Sequence, residues 1–177
     1  MKKQDWQIKL IFIRYLALLV LAFFNLGIIY LIATPLTIYP VFLVLRLFYS
    51  PVLLIGNTII FGSTAISIIS ACVAGSAYYL LLLLNLSAPM KPKLRLKSLS
   101  FMLLVFLVLN VLRTILFSML FASGFEYFGI THRFVWYFGS TILIIGIWFF
   151  SVFLFNIKEI PVYSDIKNLI RLSANRN

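Results

Sequence analysis

Two versatile functional side chains are almost missing from this sequence: it has one cysteine, Cys72, and one histidine, His132. A single cysteine excludes an internal disulfide and a cysteine-based metal cluster. Acidic residues are scarce as well, the four being Asp5, Glu126, Glu159 and Asp165. Charge of either sign occupies 11% of the 177 positions and 63% are apolar, which excludes an ordinary soluble domain and fits a polytopic membrane protein. Eighteen Phe and nine Tyr agree, since aromatics fill helix packing and mark membrane interfaces.

The charge that is present is basic and clustered. The formal balance of +11 comes largely from three blocks. These are Lys2, Lys3, Lys9 and Arg14; Lys91, Lys93, Arg95 and Lys97; and Lys158, Lys167, Arg171 and Arg176. The positive-inside rule makes all three cytoplasmic, with some attraction to anionic membrane lipids. Such blocks set topology, and no nucleic-acid partner is expected from them.

Holding the blocks on one side fixes the crossings. The basic N-terminus leads into an apolar run reaching Ala33, too long for a cleaved signal peptide, so residues 9–33 are expected to form a first transmembrane helix. Residues 99–121 cross outward, residues 122–133 lie outside, and residues 134–157 return. Residues 34–63 are too short for two spans of about 20 residues each. Broken by Pro35, Pro40 and Pro51, with Arg46 snorkelling to the headgroups, they are expected to form an external interfacial or re-entrant segment. Residues 64–87 are the second span and carry Cys72. The β-branched runs 57–61 and 64–69, separated by Gly62-Ser63, read either as a small hairpin or as the first turns of that helix. The expected fold is one all-α membrane domain over 1–177, with about four transmembrane helices and a cytoplasmic tail over 158–177.

Arg113 stands out within this frame, because a guanidinium inside a span costs at least about 3 kcal/mol and marks a functional site by default. None of the four acids is an evident buried partner for it. Cys72 lies about 20 Å above the cytoplasmic end of its helix, and Arg113 about 12 Å below the outer end of its own. His132 begins the last helix at the outer interface. Thiol, imidazole and guanidinium are therefore expected at one external membrane face. A thiol needs ionisation to attack, an imidazole can take its proton and later protonate a leaving amine, and a guanidinium can stabilise thiolate, substrate carboxylate or oxyanion. Asn110, at i, i+3 from Arg113, is expected to orient the guanidinium or the substrate.

Three local sequences resemble the exosortase/archaeosortase family. The stretch Ile69-Ser70-Ala71-Cys72-Val73-Ala74-Gly75-Ser76-Ala77 is similar to its nucleophile region, Asn110-Val111-Leu112-Arg113 to its Asn-x-x-Arg motif, and Thr131-His132 to its late-helix histidine. The resemblance covers about 57–155. The run from Cys72 to Tyr79 and the tail Ile157-Lys158-Glu159-Ile160-Pro161-Val162-Tyr163 look most like the pacearchaeosortase group. One departure is that Val73-Ala74 stands where the family more commonly has Ser/Thr-Gly, with Gly75 one place later. The resemblance implies a multi-pass enzyme of the cell membrane with its active site outside: a thiol protease and transpeptidase that needs no cofactor. Its implied partners are secreted proteins bearing a C-terminal motif, a transmembrane helix and a basic tail, together with a lipid acceptor. Cys72, His132 and Arg113 would be catalytic, with Asn110 supporting them. The alternative is a non-enzymatic permease component in which Arg113 binds an anionic substrate. The lack of an internal repeat and of paired broken helices counts against it.

Overall fold

The computed structural model describes residues 2–24 and 26–174. Arg176 of the third basic block, and the end of the tail, lie outside the described residues. Helix α1 (Lys2–Phe23) ends just before Leu26 takes a left-handed conformation with φ 57°, and α2 (Gly27–Phe48) follows at once. The single helix expected over 9–33 is therefore two. Much of the segment 34–63, expected as a broken external stretch, is the second half of α2.

That correction has a physical reason. Pro35 and Pro40 lie inside α2 and each deletes one backbone N–H. Unwinding the segment in apolar surroundings would leave many more groups unpaired, so the helix continues through both prolines. Thr37, buried beside them, donates its hydroxyl to the Ala33 carbonyl at 2.8 Å. Arg46 lies in the last turn and places its guanidinium over the Phe42 ring.

The chain then passes a cis Ser50–Pro51 bond into three strands, β1 (Val52–Ile55), β2 (Thr58–Phe61) and β3 (Thr64–Ser67). They form an antiparallel meander in the order β1-β2-β3. The hairpin reading of 57–69 holds as β2–β3, and β1 adds a strand that the sequence did not announce. Both turns are two residues long, and Gly56 and Gly62 open them with φ of 59° and 56°, which β-carbon-bearing residues resist. Ile59 and Phe61 face the core, and the Phe61 ring sits 4.7 Å from that of Tyr49.

β3 takes residues that the expected second span, 64–87, assigned to helix. What remains is α3 (Ser70–Val73) and α4 (Gly75–Leu86), a shorter apolar piece than a usual span. Helix α5 (Pro92–Ala122) runs 31 residues, about 46 Å at 1.5 Å per residue. Helix α6 (Phe128–Phe134), a π-helical turn at Val135–Gly139 and α7 (Ser140–Phe155) make one rod, followed by α8 (Tyr163–Ala174). Gly27–Phe48, Pro92–Ala122 and Phe128–Phe155 are each long and apolar enough to cross a membrane. Their outer faces carry side chains such as Leu31, Leu47 and Phe153, at least three-quarters exposed, which suit a lipid surround.

α5 is the central element, packed against α2, α4 and α7. Lipid is as apolar as leucine, so close packing and interhelical hydrogen bonds, rather than escape from water, hold such helices together. Gly75 permits one close approach, because a β-carbon there would meet Tyr30 Cζ at 2.5 Å. Asn85 on α4 donates to Ser98 Oγ on α5 at 2.8 Å, and both are fully buried.

The basic blocks converge at one end. Arg14 donates to the carbonyls of Leu86 (3.0 Å) and Ala88 (3.4 Å) and forks onto Asp165 at 2.8 and 3.0 Å. Tyr15 also donates to Asp165, and Arg95 donates to the Ala88 carbonyl. The sequence places Arg14 and Asp165 at this end but does not pair them. The pair pins α8 to α1, and breaking so buried an ion pair costs about 3–5 kcal/mol. The sheet lies at the other end, beside the last turns of α5 and the start of α6.

Candidate active site

Cys72 sits on α3, a single helical turn that ends because Ala74 adopts φ 58°, ψ 47°. The break redirects the ladder: the Ala77 N–H turns back to the Ala74 carbonyl at 3.0 Å. The carbonyls of Cys72 and Val73 are left for other donors. Asn110, on the facing side of α5, donates Nδ2 to Cys72 O at 3.0 Å and to Val73 O at 3.4 Å. Arg113, one turn further along the same face, donates Nη2 to Cys72 O at 3.5 Å and Nη1 to Ser140 Oγ at 2.7 Å. The Asn-x-x-Arg spacing thus clamps the backbone that carries the thiol. Asn110 orients the Cys72 backbone rather than the guanidinium.

A residue with a β-carbon in the left-handed region costs about 1–2 kcal/mol, a strain that glycine escapes. Ala74→Gly is therefore expected to raise stability by about 1 kcal/mol, read as a higher unfolding temperature in detergent. A lowered unfolding temperature would mean that residue 74 carries no such strain.

His132 lies on α6, half-buried. Its ring stacks on Phe128 (centroids 5.5 Å apart, planes 14°) and takes Phe117 edge-on (5.0 Å, 89°). Among the described residues no carboxylate or carbonyl orients the imidazole; the aromatic pair fixes its plane instead, leaving both ring nitrogens free of protein partners.

Cys72, Arg113 and His132 line one cavity of about 300 Å³. Phe117, Phe121 and Trp136 supply apolar walls, and Ala65, Ile66 and Ser67 of β3 close another side. The structure therefore brings together the three residues that the sequence singles out. Asn110 stands behind them and borders a second cavity of about 210 Å³, with Ser140, on the other side of Arg113. Of the guanidinium's five N–H groups two are engaged among the described residues, so others remain for a ligand. Arg113 has no carboxylate partner among the described residues.

Ser140 and the π-helical turn are the parts that sequence reasoning missed. In a straight α-helix, positions eight apart such as 132 and 140 are rotated by about 80° from one another. The wide turn Val135–Gly139 absorbs an extra residue and brings Ser140 towards the face of His132. The run Gly139-Ser140-Thr141, small residues in an aromatic stretch, was the only hint. Ser76 is exposed, Tyr78 is buried with its ring 4.7 Å from Phe106, and Tyr79 donates to the Leu18 carbonyl, so none of them joins the site. Arg133 is exposed and lies outside the cavity lining.

Comparison with protein-family models, with curated proteins and with solved structures finds no match to this chain.

Proposed function

We propose that the protein is a membrane-embedded cysteine transpeptidase of the exosortase/archaeosortase type. It cleaves the C-terminal sorting signal of secreted proteins and passes them to a lipid anchor. One observation carries this reading: the chain's only thiol, its only imidazole and an arginine with no carboxylate partner among the described residues line a single cavity. The local backbone adds support. Residue 74, where the family pattern more commonly has glycine, is left-handed, and the Asn110–Arg113 clamp holds the Cys72 and Val73 carbonyls just before it.

In this mechanism His132 takes the Cys72 proton and the thiolate adds to the scissile carbonyl. The free N–H groups of Arg113 meet the oxyanion. Collapse breaks the C–N bond, and the amine leaves with the proton from His132. The acyl group is now a thioester on Cys72. An amine on a membrane lipid attacks that carbonyl and gives its proton to His132, which returns it to the departing thiolate. The basic end of the bundle faces the cytoplasm and the cavity opens at the external face, where secreted substrates arrive.

The intermediate gives the test. Co-expression with a secreted reporter carrying the C-terminal motif, apolar helix and basic tail of a candidate substrate from the same genome should yield a covalent adduct on Cys72. Neutral hydroxylamine, which cleaves thioesters, should release it. Reporter cleavage with no such adduct, in samples quenched in acid to preserve a thioester, would refute the acyl-thioester route.

A further inference from the structure

We propose that the outer edge of β3 is the substrate's docking strand. An extended peptide adds to it as a fourth strand and is led along it to Cys72. The inference rests on the transpeptidase reading and names how that site holds its substrate.

The register shows which backbone groups are available. The two-residue turn Gly62-Ser63 makes Phe61↔Thr64 a hydrogen-bonded pair, and in an antiparallel ladder such pairs alternate. Ile59↔Ile66 is therefore the next bonded pair, and the Ile68 N–H continues the series to the Asn57 carbonyl at 2.9 Å. Thr64 and Ile66 thus spend their N–H and C=O groups on β2, and Ile68 spends its N–H on Asn57. Ala65 and Ser67 turn theirs the other way.

Neither backbone has another hydrogen-bond partner among the described residues, and β3 is the end strand of the sheet. Those same two residues line the cavity that holds Cys72, Arg113 and His132. Unpaired strand groups are costly beside lipid and persist where they border a cavity or await a partner. The opposite edge, on β1, contributes nothing to the cavity lining. From Ser67 the chain needs five residues to reach Cys72, so a paired peptide lies alongside the approach to the thiol.

The ligand class follows from the donors and acceptors. They read main-chain amides, so the occupant is an extended peptide, and its side chains alternate between the two faces of the sheet. Ala65 and Ser67 are small, which leaves room for varied side chains beside them.

Proline at position 65 deletes an edge N–H that the β2 ladder does not use, and edge strands accept proline there. Ala65→Pro should lower conversion of the co-expressed reporter on the order of ten-fold, the effect of leaving a docking hydrogen bond unmade. Cys72, the sole thiol, should still react with N-ethylmaleimide at the wild-type rate. Unchanged conversion by Ala65→Pro, in an assay that Cys72→Ala abolishes, overturns the docking strand and leaves the enzyme reading intact. Unchanged conversion by Cys72→Ala overturns the enzyme reading itself.

A second measurement needs no catalysis and keeps the strand geometry. Ser67→Cys in the Cys72→Ala background is tested for disulfide capture of single cysteines at successive reporter positions preceding its apolar helix. Strand pairing predicts capture at alternate positions. Capture with a helical period, or at no position, overturns the proposal.

Discussion

Cys72→Ala is expected to abolish processing of a secreted reporter, with a loss on the order of 10⁶-fold, as when the nucleophile of a comparable hydrolytic triad is removed. No second thiol exists to take over. The clamp on this residue acts through its backbone carbonyl, which alanine retains, so the fold around α3 should survive the change. A normal unfolding temperature together with lost activity is thus the expected pair of results. Cys72→Ser should bind the reporter and convert it poorly, because a hydroxyl ionises far less readily than a thiol. The readout is the gel mobility of the reporter, with reporter retained on the purified serine variant as the binding measure. Full conversion by Cys72→Ala would remove the thiol from the mechanism and restore the permease alternative, in which that residue is dispensable.

Helices long and apolar enough to cross a membrane, and the grouping of Cys72, Arg113 and His132 at one cavity, were legible in the sequence because both rest on scarcity. A chain with 11% charge shows where each charge is needed, and one Cys, one His and one Arg amid an apolar helix leave few ways to build a site. Arg14 and Arg95 do meet at one end of the bundle, both donating to the Ala88 carbonyl. Proline was misleading. In water Pro35 and Pro40 argue for a broken segment, whereas in apolar surroundings α2 continues through both, because a helix missing two N–H groups leaves fewer orphans than an unwound chain. Strand β1 escaped notice because Val52-Leu53-Leu54-Ile55 is uniformly apolar and has no alternation to distinguish it from helix. The Arg14–Asp165 pair joins residues 151 positions apart, a separation that no local pattern encodes. Ser140 was hidden for a subtler reason. Its alignment with His132 depends on a π-helical turn, and 3.6-residue periodicity places it on another face.

Arg113→Lys should fail although it keeps a positive charge, with processing reduced about 10²- to 10³-fold, the usual effect of losing one oxyanion donor. The guanidinium reaches Ser140 Oγ on α7 and Cys72 O on α3 at once while leaving further N–H groups for the cavity. A lysine ammonium is a point charge with three donors, cannot span both acceptors as a planar fork, and can shed its proton when desolvated. Arg113→Gln should be no better, since it removes the charge altogether. The Cys72 carbonyl keeps its bond from Asn110 in each variant, so the loss should exceed any change in stability. The rate of Cys72 alkylation then divides the possible roles. If Arg113 acts mainly by stabilising the thiolate, alkylation at neutral pH slows in parallel with processing across the two variants. If it acts on the oxyanion, processing falls while alkylation holds, because alkylation forms no tetrahedral intermediate. Processing by Arg113→Lys at the wild-type rate would assign the guanidinium to packing between α3, α5 and α7 and remove it from the chemistry.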